Sequence, residues 1–170
     1  MRVLVAYATH YGATREIAES VAETLRREDI EATLADVEHL DRVDPSYDAF
    51  VIGSAVHAGH WLKSGTEFVK RNAGQLAGRP VWLFSSGPIG DAVDKPQPNP
   101  KEIAQFEELV TPRQHVIFGG AFDREVADAK GGRFDRAINR FIPEGDYRDW
   151  AEIERWARSV ATALVEPIAV

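Results

Sequence analysis

Apolar positions in this chain fall into two alternating patterns. Val3-Leu4-Val5-Ala6-Tyr7, Ala49-Phe50-Val51-Ile52-Gly53, Val81-Trp82-Leu83-Phe84 and Val116-Ile117-Phe118 are short continuous runs, set off by turn signals such as Asp44-Pro45-Ser46 and Arg79-Pro80. Such runs fit strands buried on both faces, and a weaker run over Glu31–Val37 adds another. Between them, apolar residues recur every three or four positions. Ile17, Val21 and Leu25, with Ala18 and Ala22 beside them, predict a helix over Thr14–Glu28. Phe68, Val69 and Leu76 predict a helix over Leu62–Leu76, ended by Gly78. Ile103, Phe106 and Leu109 predict one over Pro100–Val110, and Ile153, Trp156, Val160 and Leu164 form the stripe of a last helix.

Strands of this kind alternating with helices indicate an α/β fold with a parallel sheet covered on both faces. Five strands in one domain suggest the doubly wound order 2-1-3-4-5, with ligands bound outside the carboxyl ends of the strands where strands one and three diverge. The stretch Thr9-His10-Tyr11-Gly12-Ala13-Thr14 falls at that point. Two segments exceed ordinary connections. Residues 87–100 carry Pro88, Pro96, Pro98 and Pro100 and cannot be helical throughout. Residues 119–149 form an insertion before the last helix. Within it Phe134, Ile138 and Phe141 are spaced for one helical face, expected to pack on its own domain, with a dimer contact or a membrane surface as the alternatives.

Composition narrows the function. A chain of 170 residues fits one domain that buries roughly 70% of its unfolded surface. It has no cysteine, which removes disulfides, thiolate metal sites and cysteine nucleophiles and fits a cytoplasmic protein. The net charge of −7 argues against non-specific nucleic-acid binding and suits docking to basic partners. No apolar run approaches the roughly 20 residues that span a bilayer, and no signal peptide is evident.

Residues 9–14 place two hydroxyls, a glycine and free backbone N–H groups between the first strand and the first helix. A helix N-terminus favours an anion through its unpaired amides and its dipole. No Lys or Arg lies between Val3 and Thr14, so a phosphate here would be held by neutral donors. Neither G-x-G-x-x-G nor Gly-Lys-Ser/Thr is present. The alternative is a plain strand-to-helix turn capped by Thr9 or Thr14.

The pattern Thr-x-x-Gly-x-Thr after a strand ending in Tyr7, continued by Ala18 and Val21, resembles the phosphate loop of flavodoxins. The resemblance implies a flavodoxin-like three-layer sandwich and non-covalent FMN. Ala6 replaces a bulkier residue, and Tyr11 stands where many short flavodoxins have threonine. Flavodoxins cover the flavin ring with the loops after strands three and four, here Ser54-Ala55-Val56-His57-Ala58-Gly59-His60-Trp61 and Ser85-Ser86-Gly87-Pro88-Ile89-Gly90-Asp91. Trp61, His57 and His60 are candidates to stack on the ring. The alternative for Trp61 is packing at the start of the next helix. Gly59 could turn a carbonyl toward the ring or serve an ordinary turn. His57 and His60 are candidate catalytic residues, because histidine titrates near neutrality. Protonated beside the ring they would raise its potential, and Asp91 and Asp94 would lower it. The two histidines lack an obvious third metal ligand, so no metal is expected.

A closer resemblance spans nearly the whole chain. Thr-Arg-Glu-Ile-Ala (14–18), Val-Ile-Gly-Ser (51–54), Gly-His (59–60), Glu-Phe-Val-Lys (67–70), Gly-Gly-Ala (119–121) and Phe-Asp-Arg (134–136) are similar to the flavodoxin-type protoporphyrinogen oxidases that use menaquinone. That family also carries an insertion before the last helix. The resemblance implies oxidation of a porphyrinogen-like substrate at FMN, electron delivery to a quinone, and peripheral contact with a membrane. The insertion departs from a purely basic character, mixing Asp123, Glu125, Asp128 and Asp135 with Arg124, Lys130 and Arg133. The other reading is a flavodoxin-type electron carrier that docks to redox partner proteins.

Overall fold

A computed structural model describes residues 1–166. Five parallel strands form the sheet: β1 (Arg2–Ala8), β2 (Glu31–Asp36), β3 (Ala49–His57), β5 (Val81–Ser86) and β6 (Gln114–Phe118), in the order β2-β1-β3-β5-β6. Counted among themselves these are strands 2-1-3-4-5. A two-residue strand β4 (His60–Trp61) folds back antiparallel on β3, pairing Val56 with Trp61 and His57 with His60. Strand β3 therefore runs four residues beyond Gly53, and Ser54–His57 are strand and not loop. Pairing with β5 holds them there, Ser54 opposite Ser85 and Ala55 opposite Ser86.

Helices cover both faces. On one, α1 (Ala13–Arg27) and α7 (Trp150–Val165) bury Ile17, Val21, Leu25, Ile153 and Val160 against Val3, Val5, Val51 and Phe84. Phe84, Phe118 and Trp156 pack edge to face or tilted, with centroids 5.5–6.1 Å apart. On the other, α2 (Lys63–Arg71), α3 (Ala73–Leu76) and α4 (Ile103–Val110) bury Phe68, Val69, Leu76, Ile103 and Phe106 against Leu4, Phe50, Ile52 and Leu83. A fully buried side chain of this size contributes about 1.5–3 kcal/mol, so the two clusters hold the sheet between the helix layers.

The helix expected over Leu62–Leu76 is two helices. Asn72, buried, breaks it: its Oδ1 accepts from Val43 N–H and its Nδ2 donates to the Phe68 carbonyl. The helix expected from Pro100 begins at Ile103, and residues 87–100 hold only a single 3-10 turn at Gly90–Ala92.

The insertion has structure of its own. A two-stranded ribbon, β7 (Ala121–Phe122) with β8 (Gly145–Asp146), carries two short helices, α5 (Arg124–Lys130) and α6 (Arg133–Asn139). Asp123 caps α5 by accepting from Val126 N–H. Gly120 N–H donates to the Pro88 carbonyl and Tyr147 N–H to the Gly120 carbonyl, tying the ribbon to the loop after β5. Arg148 ties it to α1: Nη1 donates to the Ala13 carbonyl and Glu16, Nη2 donates to Asp146, and the guanidinium lies 4.5 Å from the Trp150 ring centre. Packing of the Phe134/Ile138/Phe141 face on its own domain is overturned. These side chains are 88%, 60% and 81% exposed. Helix α6 hangs from a narrow ribbon and lies at the rim of a cleft, not over the sheet, so there is no layer beneath that face to cover it.

Candidate functional site

The loop between β1 and α1 opens the helix with Gly12 at φ +103°, a conformation few residues other than glycine adopt. No side chain caps α1. The first intrahelical bond runs from Glu16 N–H to the Gly12 carbonyl, leaving the amides of Ala13, Thr14 and Arg15 for an outside acceptor. Thr9 Oγ1 accepts from Gly12 N–H at 3.0 Å and so shapes the turn. Thr14 is almost wholly buried at the cleft wall. Of the nearby cations, Arg15 is paired with Glu19, and Arg148, brought in by the insertion, is already engaged by Glu16, Asp146 and the Ala13 carbonyl. These contacts raise its pKa, first through the hydrogen bond to Asp146, whose own carboxyl is lowered mainly by the same bond. The loop thus offers an anion neutral donors.

From this loop a cleft of about 480 Å³ runs along the carboxyl ends of the strands. That volume is within the range of small-molecule and cofactor sites. One wall is Ala55, Val56 and His57 at the end of β3, the other Ser86, Gly87 and Ile89 after β5. The insertion closes the third side with Phe122, Ile138, Asn139 and Ile142. Space is tight where the walls meet. A Cβ on Gly87 would stand 3.1 Å from Val56 Cβ, and one on Gly120 would stand 3.3 Å from the Gly87 carbonyl oxygen.

Tyr11 joins loop and insertion. Its ring meets His10 edge-on at 4.3 Å and Phe122 edge-on at 6.1 Å. Burial, then the nearby Asp135 and Asp128, raise its phenol pKa, so the hydroxyl is neutral at physiological pH. Tyr11 and Phe122 also separate the cleft from a second one of about 380 Å³ that holds Glu16, Asp146 and Arg148.

Most of the residues singled out in the sequence meet here, but not all. Thr9, His10, Tyr11, Ala13, Thr14, Ala55, Val56, His57, Ser86, Gly87 and Ile89 line the cleft. Trp61 does not. Its indole is buried 5.0 Å from the Phe106 ring centre, and its Nε1–H donates to Ser85 Oγ, so its packing role prevails over stacking on a ligand. Ser54 is fully buried as well, its Oγ accepting from Leu62 N–H and donating to the Ala55 carbonyl. Period-two alternation explains both serines: on strands, Ser54 and Ser85 point to the α2–α4 face. His60 lies outside the cleft, its Nδ1 2.7 Å from Glu102 Oε1. Glu102 also accepts from Trp61 N–H at 3.0 Å. Burial works to raise the Glu102 carboxyl, but the bonds from Trp61 N–H and His60 outweigh it and hold it below the usual range. Ala58 and Gly59 form the hairpin tip, both with positive φ, and Gly59 accepts from Lys101 N–H through its carbonyl. Pro88, Gly90, Asp91 and Asp94 do not line the cleft.

The residues that sequence reasoning missed are Phe122, Ile138, Asn139, Ile142 and Arg148. Only the spacing of Phe134, Ile138 and Phe141 hinted at the insertion's helix, and that spacing does not say which side of the helix faces a ligand. Among the described residues, no group of three or more His, Asp or Glu side chains comes together as a metal site.

Comparison with known proteins fits this geometry. The chain is 27% identical over 183 aligned positions to protoporphyrinogen IX dehydrogenase [quinone] of Escherichia coli K12, covering 98% of each. Among solved structures, a flavodoxin variant of Pseudomonas aeruginosa superposes with a TM-score of 0.63 at 15% identity, covering 98% of this chain and 100% of that one. The two-electron reduced flavodoxin of Megasphaera elsdenii gives 0.56 at 19% identity, covering 82% and 99%. A family model described as the flavodoxin domain matches residues 4–145, from β1 through the cleft into the insertion, and the chain belongs to that family.

Proposed function

We propose that the protein is an FMN-dependent oxidoreductase of the protoporphyrinogen-oxidase type, passing electrons from a reduced substrate through FMN to a quinone-like acceptor. The observation that carries this is the single cleft that starts at the uncapped amides of α1 and ends against the insertion. Its two halves suit FMN: neutral donors at the phosphate end, and apolar lining that includes Val56 and Ile89 for the ring. When bound, FMN supplies the two-electron redox chemistry. The protein supplies the rest. Thr14 and the amides of residues 13–15 would hold the phosphate. Ala55–His57 on one side and Ser86, Gly87 and Ile89 on the other would hold the ring. Ile138 and Ile142 keep water from the open side. His57, exposed at the cleft and with no side-chain hydrogen bond among the described residues, would be available to hold a proton beside the bound ring. The similarity to the E. coli quinone-linked dehydrogenase supports the acceptor class. The exposed Phe134 and Phe141, beside Arg133, Arg136 and Arg140, suit peripheral contact with the lipid phase where such quinones reside.

A second reading, an electron carrier that docks to partner proteins, is favoured by the net charge of −7. A carrier has no need of a third wall around the cleft. Stopped-flow mixing of the reduced, FMN-loaded protein with a menaquinone analogue separates the two. Rapid reoxidation, with turnover of a porphyrinogen, supports the enzyme. Reoxidation only through a protein partner supports the carrier. A purified protein that stays colourless and ignores added FMN excludes both.

A further inference from the structure

Beneath the cleft, on the α2–α4 face, a buried chain of hydrogen bonds crosses three strands. Trp61 Nε1–H on β4 donates to Ser85 Oγ on β5 at 2.7 Å, and Ser85 Oγ lies 2.8 Å from His115 Nε2 on β6. Ser85 is fully buried, Trp61 nearly so, and His115 half-buried. The serine hydroxyl has one proton. The indole donates to the serine oxygen, and a neutral imidazole protonated on Nδ1 gives the hydroxyl proton an acceptor at His115 Nε2, the assignment that satisfies all three groups. None of these three side chains lines the cleft, but Ser85 is followed on β5 by Ser86, which does, and Trp61 pairs with Val56 of the cleft wall. His60 likewise pairs with His57, so the indole fixes the arm of the hairpin that holds the cleft wall.

We infer that His115 is a positioning residue for the cleft: by accepting from Ser85 it locks the Trp61 indole, and with it the β3–β4 hairpin that presents Val56 and His57. Protonating Nε2 turns the acceptor into a donor and leaves the buried Ser85 proton without a partner, which loosens the hairpin. Burial, with no charged neighbour contributing, depresses the His115 pKa to about 4, so the lock is closed at neutral pH. The titratable groups on the hairpin are His57, at the cleft, and His60, which faces Glu102 at the start of α4 on the outer side. Burial works to raise the Glu102 carboxyl, and the bonds from Trp61 N–H and His60 hold it below its usual range. Just before β6 the neighbouring cation, Arg113, lies over the Trp82 ring.

This inference rests on the reading of the cleft as a flavin site only in its binding arm. In 15N-labelled protein without added flavin, the Trp61 indole N–H resonance, identified among the four tryptophans by Trp61→Phe, is followed by NMR. It should move in His115→Ala, stay near its place in His115→Gln, which retains an acceptor oxygen, and shift in the native protein as pH falls from 6.5 toward 4. A resonance indifferent to His115→Ala overturns the proposal. In titrations at pH 7.5 followed by flavin fluorescence, His115→Ala should weaken FMN binding roughly two- to tenfold and His115→Gln restore it. Unchanged FMN affinity in His115→Ala would also overturn it. Native protein that binds no FMN would defeat the flavin reading while the resonance still tests the lock. If His115→Ala does not fold, Ser85→Ala breaks both bonds, and an unmoved indole resonance there is equally decisive.

Discussion

Three residues show how finely the site is set. Thr14 sits buried at the uncapped start of α1, where its hydroxyl faces the cleft. Thr14→Val keeps the shape and removes that donor, so FMN should bind about 1–3 kcal/mol more weakly, as is usual for a bond to a charged group. A fluorescence titration reads this directly, and an unchanged dissociation constant would place the phosphate elsewhere. Gly53 is set by packing. A Cβ there would fall 2.0 Å from Phe84 Cζ, in the middle of the sheet. Gly53→Ala should therefore cost about 3 kcal/mol or more, visible as a lower urea midpoint, unlike a surface glycine such as Gly74, where a Cβ meets nothing within 4 Å. Tyr11 is the third. The sequence marks it only as a threonine replaced. The structure gives the replacement a partner, because the ring meets Phe122 of the insertion. A one-residue departure and a thirty-residue insertion are one feature, and no local pattern links positions 11 and 122. Trp61 shows the opposite limit. Its place beside a loop suggested stacking on a flat ring, but an acceptor on β5 claimed its indole.

At the scale of elements, the five main strands and the helices α1, α4 and α7 were legible, because each carries its own periodicity and meets a sheet face directly. What escaped was set by pairing and capping between elements. Strand β3 runs on to His57 because β5 continues beside it and β4 folds back on it. Helix α2 stops at Asn72 because that side chain bonds to Val43, 29 residues away. The insertion was seen as a segment, but its role was not, since a helix held on a ribbon follows no rule of sheet packing. Because Phe134 and Phe141 are exposed, a double change of both to Ser should leave the urea midpoint almost unmoved, within about 0.5 kcal/mol, whereas loss of buried rings would cost several times more. Replacing residues 124–142 by a short Gly-Ser linker removes Ile138, Asn139 and Ile142 from the cleft while keeping the β7–β8 ribbon. The domain should still fold by circular dichroism and still bind FMN through residues 9–14, but reoxidation by a quinone should slow. Undiminished quinone reactivity would mean that the insertion is not the third wall.

The whole molecule joins a doubly wound sheet, readable from alternating apolar patterns, to a site whose outer half was not. In a doubly wound sheet a ligand site is expected beyond the carboxyl ends of β1 and β3, and the loop of residues 9–14 lies at that point. Stability should also depend on pH at this scale. The folded protein holds His115 neutral down to about pH 4, whereas an unfolded histidine binds its proton near pH 6.5. The unfolded chain then carries more protons in that window, so stability rises with pH across it and falls on acidification from 6.5 to about 4. Urea midpoints across this range should drop more steeply for the native protein than for His115→Gln; equal slopes would remove His115 as the cause. The most direct test of the protein's role is anaerobic stopped-flow spectroscopy. FMN-loaded protein, reduced in full, is mixed with a menaquinone analogue and followed at the flavin bands. Reoxidation within the dead time to seconds, saturating with quinone, is expected of an oxidoreductase whose cleft admits the acceptor. A flavin that stays reduced until a partner protein is added would contradict it.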